Sequence, residues 1–499
     1  MNILLLYPRN PDAFWSFRHA LRFISKRAYS PPLGLLTVAA LLPASWSKRL
    51  VDLNARELDD QDIAWADLVF ISAMDSQYQS TLEILARLKP YGKKIVAGGP
   101  MFTMDPDRFP EIDHRLLHEV EDTLPRLLAD LEKGKAQSIY DTQEWPDLAC
   151  SPIPAWDLID LNDYSSMSIQ YTRGCPYECE FCHIEVLNGK VPRYKTTGQI
   201  IAELEALYTR HWRGAVFFVD DNFIMKPQHL KEDLLPAIIG WMEKRGHPFF
   251  FYTQLSINLT DDEELIALMV RTGFDTVFIG IESPEENSLA ETNKQINLRQ
   301  DLLAAVKKIQ RLGLQVNAGF ILGFDHDTAA TFGKHQDFIQ ESGIMGAMIG
   351  LLHAGKGTKL YKRLQRENRL VENSSGDNTD FSTNFITRMS REELTAGYQN
   401  LVRTVYSPPF FYERLQTFFN NYNLPRRKSP PVQLSDLKAL FRVFWIIGFL
   451  EEERRYYWTT LFRILTHSPR LVPLFIRLAI YGYHFRMVYQ KENLKNKAC

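Results

Sequence analysis

Three of the five cysteines fall within eight residues of the 499-residue chain, in the run Tyr171-Thr172-Arg173-Gly174-Cys175-Pro176-Tyr177-Glu178-Cys179-Glu180-Phe181-Cys182-His183. The spacing is C-x3-C-x2-C. Three thiols on one short loop are unlike a secreted disulfide framework; they fit a reducing interior and a metal or cluster site. Thiolates are the usual ligands of iron–sulfur clusters. Three of them on a four-iron cubane leave one iron without a protein ligand. Gly174 and Pro176 let the backbone wrap closely around such a group. The alternative is zinc, with His183 as a fourth ligand. Zinc motifs generally come as two short pairs with a longer insert, whereas this is one triplet. Cys150 and Cys499 have no partners at ligand spacing.

A chain of this length is expected to hold two or three domains. Apolar residues are 45% and charged residues 24%, which fits a globular chain. The net charge of -2 gives no reason to expect nucleic-acid binding. The opening run Met1-Asn2-Ile3-Leu4-Leu5-Leu6-Tyr7-Pro8 lacks a basic flank and a cleavage site, so it reads as a first strand. No uncharged apolar stretch reaches the roughly 18 residues a membrane span needs, so the expected location is cytoplasmic.

The pattern predicts an α/β protein in three parts. Residues 1–140 alternate strands (3–7, 49–53, 68–72, 94–97) with helices (33–42, 80–88), the mark of a doubly wound parallel sheet. Such sheets bind ligands beyond the carboxyl ends of their strands, where Ser72, Met74, Asp75, Gly98 and Gly99 fall. Residues 141–164, rich in proline and aspartate, read as a linker. Residues 165–355 hold six further strand candidates, at 168–172, 215–219, 249–253, 276–281, 315–322 and 347–352, with helices between them. Six parallel strands suit a partial barrel with its reactive groups at the C-terminal rim. Residues 356–499 read as mostly helical, with a polar turn at 376–380. Residues 454–486 carry six arginines and no acidic residue, interleaved with aromatic residues. Two readings of Trp458, Arg463, Arg470, Arg477, Tyr481 and Tyr483 stay open: contact with a membrane surface, or a packed helical cap.

The cysteine triplet opening a β/α series resembles the radical S-adenosylmethionine superfamily. That resemblance implies a 4Fe-4S cluster on Cys175, Cys179 and Cys182, whose open iron takes S-adenosylmethionine for reductive cleavage to a 5′-deoxyadenosyl radical. It further implies cofactor contacts from Phe181 in the cluster loop and from Asp220, Asp221 and Asn222 after the second barrel strand. Gln254 and Ser256 would serve after the third, Glu282 after the fourth and Gly319 on the fifth. The bland alternative is that Asp220 and Glu282 cap helices or sit in solvated loops. An electron donor such as flavodoxin or ferredoxin is also implied.

The order of the parts is similar to the subgroup that sets a cobalamin-binding domain before the radical domain. The resemblance rests on Pro31-Pro32-Leu33-Gly34-Leu35-Leu36, Val51-Asp52-Leu53-Asn54 and Ala97-Gly98-Gly99-Pro100. Within it, Asn378-Thr379-Asp380 with Thr383-Asn384-Phe385 and the helical tail resemble the hopanoid C-2 methylase and bacteriochlorophyll side-chain methylase group. This implies cobalamin near Ser72, Met74, Gly98 and Gly99, and methylation of an unactivated carbon of a lipid or tetrapyrrole through methylcobalamin. The alternative keeps both cofactors for a cyclisation, oxidation or rearrangement. The D-x-H-x-x-G signature of a histidine lower ligand is absent; His19 is the nearest candidate, with surface packing as the competing reading. The chain departs from the family pattern at His118, where a glycine of Gly-Glu-x-Glu is common. It also departs at His183, at Gln254 and at Lys356 of Lys356-Gly357-Thr358.

Overall fold

Short apolar runs alternate with helices to build two parallel sheets in the computed structural model, which describes residues 1–371, 381–425 and 434–495. The predicted turn at 376–380, with Asn378-Thr379-Asp380, and Cys499 lie outside the described residues.

The first sheet contains β1 (Asn2–Tyr7), β2 (Ser47–Asp52), β3 (Leu68–Ser72), β4 (Lys94–Gly98), β5 (His114–Leu116) and β6 (Ile139–Tyr140). Its order is β2-β1-β3-β4-β5-β6, all parallel. The β1 run is continuously apolar because helices cover both faces of the sheet. Ile3 and Leu5 join the core with Leu35, Leu36 and Phe70, while Leu4 and Leu6 join the opposite core with Val69, Ile71 and Leu85. Four strands were expected; β5 and β6 add two that are too short to show a pattern. The order reverses between β1 and β3, the point at which such sheets open a crevice.

The second sheet contains β7 (Ser166–Ile169), β10 (Gly214–Phe218), β11 (Phe249–Leu255), β12 (Phe274–Glu282), β13 (Gln315–Leu322) and β14 (Ala347–Leu351). Each strand pairs with the next in sequence, all parallel, giving the expected six-stranded partial barrel. One predicted strand is corrected. The segment 168–172 is not continuous: β7 ends at Ile169, and Thr172–Arg173 forms β8, a two-residue hairpin partner of β9 (Arg193–Tyr194). Fully buried Asp220 is the cause. Its Oδ1 accepts the backbone N–H groups of Tyr171 (3.2 Å) and Thr172, drawing the chain off the sheet just before the cysteines.

The helices Arg391–Val405, Pro408–Asn421, Leu434–Trp445, Arg454–His467 and Val472–Lys495 form the C-terminal part. The last is a packed element. Arg477 pairs with Asp275 at 2.8 Å, Tyr483 is buried, and Phe485 stacks on Phe14 at 4.2 Å between ring centroids. This corrects the membrane-facing set read from sequence, since Arg477 and Tyr483 serve the interior. His19 is buried, bonds Asp12 at 3.0 Å and lies against His484, so the packing reading applies.

The turn after Ala329–Ser342 is held by Gly343, with φ +69. A Cβ there would stand 2.9 Å from the Phe418 backbone. Gly343→Ala is expected to cost about 2 kcal/mol, combining left-handed strain with a backbone clash. Gly246, with φ +72, has open space around its Cα, so Gly246→Ala should cost only about 1 kcal/mol. Urea unfolding midpoints of the two variants check the difference.

Candidate functional site

The cysteine loop is anchored from several sides. Gly174 has φ +93, and a Cβ there would fall 2.9–3.1 Å from the carbonyl oxygens of Val191, Asn188 and Gly189. Only glycine allows this approach. Asp221 accepts the Gly174 N–H (2.8 Å) and the Asn188 side-chain amide (2.8 Å). Farther along, the Glu180 N–H bonds the Thr292 carbonyl (3.0 Å), and Arg363 holds the Glu180 carboxylate (3.0 Å). Phe181 packs toward Phe324 with ring centroids 6.4 Å apart.

Cys175, Cys179 and Cys182 are half-buried, unbridged and electrostatically coupled. Burial pushes the Cys182 thiol up to about 12, with Lys294 pulling the other way. Lys294 is a functional candidate that no sequence signal marked. Burial alone would lower its basicity, but Glu282 and the Cys179 and Cys182 sulfurs hold it above the usual lysine range. Its ammonium lies 2.9 Å from Glu282 Oε1. Glu282 itself has φ +64, at a register shift at the end of β12. A Cβ on Gly280 would sit 2.2 Å from that same Oε1, so Gly280 is what lets the carboxylate fold back toward Lys294.

Among the described residues, no three thiol, imidazole or carboxyl groups converge on a single metal ion. His183 does not complete a zinc set; its ring packs over Gly355 and is coupled to Asp75. The donor set fits a cubane, in which each thiolate takes a different iron, with Lys294 offsetting the added negative charge.

A second anchor joins the two sheets. Arg173, next to Gly174, donates to Glu119 (2.9 Å) and to both oxygens of Glu121 (2.8 and 3.0 Å). Arg193 also reaches Glu119. Both carboxylates are buried. Burial would raise Glu121, yet Arg173 holds it below the usual range. Glu119 and Glu121 are the acidic pair of the motif in which His118 replaces glycine. His118 has φ +60, which explains why glycine suits that position. Its ring compensates by bonding Asp141 (2.6 Å) and meeting Trp145 edge-on.

Between the carboxyl ends of the two sheets lies a cavity of about 770 Å³. Ser72, Met74, Asp75, Gly98 and Gly99 line it from the first sheet, and Arg173, His183, Phe217, Val219 and Asp221 from the barrel. Asp75 is raised by burial, with His183 and Arg108 opposing. Gly99 has φ +92, and a Cβ there would stand 2.8 Å from Ser72 Oγ, so glycine lets the end of β4 pack this closely against the end of β3. Lys356 bridges the domains through Asp105 (2.6 Å), and Asn384 pins Ala354 with two bonds of 2.9 and 2.8 Å.

Other predicted residues lie elsewhere. Asn222 and Ser256 bond each other (2.9 Å), and Asp220 holds backbone as described above. Gln254 is half-buried on the same face of β11 as Tyr252, and Gly319 lies beneath the Phe278 ring. Glu282 forms its own site with Lys294. None of these six lines the inter-sheet cavity.

Comparison with known proteins gives three domain matches: a B12 binding domain over residues 23–128, the radical SAM superfamily over 169–339, and a domain of unknown function (DUF4070) over 358–497. An uncharacterized methyltransferase of Synechocystis is 39% identical over 97% of this chain and 91% of its own. The hopanoid C-2 methylase of Rhodopseudomonas palustris is 32% identical over 99% and 95%. The bacteriochlorophyllide d C-12(1)-methyltransferase of Chlorobaculum tepidum is 26% identical over 79% and 86%. Among solved structures, the cobalamin-dependent radical enzyme OxsB superposes with a TM-score of 0.63 at 14% identity, covering 100% of this chain and 80% of that one. The methyltransferase TsrM from Kitasatospora setae gives 0.60 at 15% identity, covering 75% and 79%. These two structures speak to the fold alone.

Removing Arg173 strands buried Glu121, whereas Glu119 keeps Arg193. Arg173→Met is expected to cost about 3–5 kcal/mol, and adding Glu121→Gln should recover much of that loss. Urea unfolding followed by tryptophan emission checks both halves.

Proposed function

The chain belongs to the cobalamin-dependent radical S-adenosylmethionine methyltransferase family, and on that premise we propose that it methylates an unactivated carbon of a hopanoid lipid or tetrapyrrole. One observation carries the reading most directly: the cavity is walled by the ligand edge of the first sheet on one side and by the start of the cluster loop on the other. Near-full-length similarity to a hopanoid methylase supports the lipid class, and similarity to a bacteriochlorophyllide methyltransferase supports the tetrapyrrole class.

When bound, the cluster with S-adenosylmethionine supplies hydrogen abstraction, and the corrinoid supplies the methyl group. The side chains do the placing. Cys175, Cys179 and Cys182 would ligate the cluster; Glu282 and Lys294 would meet the polar end of S-adenosylmethionine. Ser72, Met74, Gly98 and Gly99 would border the corrinoid. Asp221 fixes the backbone at Gly174 and so the approach of Cys175. Phe217 and Val219 give the barrel side of the cavity an apolar wall that excludes water from a reactive carbon. Phe217 stacks flat on Tyr252 at 4.6 Å, and the Tyr252 hydroxyl is fixed by Ser166 at 2.8 Å, so this wall is rigid. The reducing electron would come from a flavodoxin- or ferredoxin-like donor.

Anaerobically reconstituted protein, given reductant and substrate, is expected to form 5′-deoxyadenosine and S-adenosylhomocysteine together, with label from the S-adenosylmethionine methyl group in the product. 5′-Deoxyadenosine without S-adenosylhomocysteine would instead indicate a non-methylating reaction. Lys294→Met is expected to lower 5′-deoxyadenosine formation about tenfold or more, equivalent to at least about 1.4 kcal/mol of barrier, with iron content retained. Iron analysis alongside the turnover assay distinguishes this from simple cluster loss.

A further inference from the structure

The hairpin of helices Leu434–Trp445 and Arg454–His467 is apolar on two faces. Its inner face is ordinary core, with Val443, Ile447, Tyr457, Leu461 and Ile464 buried. Its outer face should be polar in a water-facing helix. Instead Leu437, Phe441, Trp445 and Phe449 recur every four residues and are all exposed, as side chains on one helical face. On the second helix, Trp458, Phe462 and Leu465 repeat the pattern at i, i+4 and i+7, again exposed, with Phe462 at 71%. Trp445 meets Phe449 at 6.2 Å within the first stripe, and Phe449 meets Trp458 at 5.9 Å, joining the two stripes across the turn. An apolar patch of this kind on an otherwise water-facing surface marks an interaction site.

Charge identifies the occupant. Lys438, Arg454, Arg455, Arg463 and Arg470 belong to the same two helices and the turn that follows. Among the described residues, none of these five pairs with a carboxylate. Glu452 is the exposed acid at the turn. A two-fold dimer through this face would set one cationic rim against its own copy. An anionic bilayer instead neutralises the rim, while tryptophan and phenylalanine enter the boundary between headgroups and acyl chains. Among the described residues no helix is long and apolar enough to cross a membrane, so the contact is in-plane. We propose that this hairpin attaches the protein to the surface of an anionic lipid bilayer.

The attachment is coupled to the interior through one helix. Arg442 donates to the carbonyls of Arg22 (2.9 Å) and Phe23 (3.2 Å), fastening the hairpin to Arg18–Ile24. Arg18 and Leu21 of that helix line a second cavity, of about 470 Å³, together with Arg9, Arg27 and Arg56. This cavity shares Tyr7, Ser30 and Pro31 with the inter-sheet cavity. The membrane face therefore stands one helix away from an arginine-rich space that adjoins the reaction chamber. The attachment does not depend on which substrate is methylated, and its test needs no turnover.

Full-length reconstituted protein is co-sedimented with vesicles of phosphatidylcholine alone or mixed with phosphatidylglycerol, at low salt. The expected result is binding to the mixed vesicles that weakens about tenfold or more in Phe441→Ser/Phe462→Ser. Arg455→Gln/Arg463→Gln should remove most of the preference for the anionic mixture. A second measurement guards against misfolded variants: vesicles with brominated acyl chains should quench wild-type tryptophan emission, and Trp445→Phe/Trp458→Phe should lose that quenching. Failure of the wild-type protein to bind anionic vesicles overturns the proposal. So does a soluble dimer that Phe441→Ser/Phe462→Ser dissociates while vesicle binding is unchanged.

Discussion

Two guanidinium groups meeting two buried carboxylates hold this molecule in its working arrangement. Arg173 and Arg193 belong to the barrel's first hairpin, and Glu119 and Glu121 to the end of the first sheet. In so dry a setting a charge left alone is costly, whereas a matched, hydrogen-bonded set is tolerated. The docking of the two sheets is therefore steep in energy and narrow in geometry. Because Arg173 directly precedes Gly174 and Cys175, the interaction that borders the inter-sheet cavity also places the first of the three clustered thiols. Lys356 to Asp105 adds a second, more exposed tie across the same boundary.

Around that tie the chain uses unusual backbone where chemistry is expected. Gly174, Gly99, His118 and Glu282 all have positive φ, and each borders the cavity or the cysteine loop. Glycine takes this conformation freely, but at His118 and Glu282 it is strain that persists only where surrounding contacts hold it. Those contacts are identifiable: Lys294 for Glu282, and Asp141 and Trp145 for His118. The segment after the barrel completes the support, since Arg363 of the helix Lys359–Arg366 and Arg369 just beyond it both engage Asp325, and Arg363 also holds Glu180 of the cysteine loop.

Much of the fold was legible in the sequence because burial imposes a simple pattern. Strands covered on both faces must be short and apolar, and those separated by helices must run parallel. The exceptions have local causes. β5 and β6 carry too few residues to show a period, and the predicted strand at 168–172 was broken by Asp220, a residue about fifty positions away. The site was legible less evenly. The cysteines, Asp221, Ser72, Gly98 and Gly99 fall at strand ends or in a motif. Lys294 lies in an unremarkable polar stretch, and although Glu119 and Glu121 fall in a motif position and Arg173 beside the cysteines, nothing local says that they meet.

By itself the sequence determined which chemistry the chain can host, because three thiols at fixed spacing have few other uses, and it determined the layering of the sheets, because hydrophobic period is a local property. Tertiary structure alone decided which charged residues are buried with which partners, that the tail's last helix is interior, and that the hairpin before it turns an apolar face outward. Those outcomes depend on contacts between segments up to several hundred residues apart, and no local pattern encodes which of two apolar faces a helix will bury.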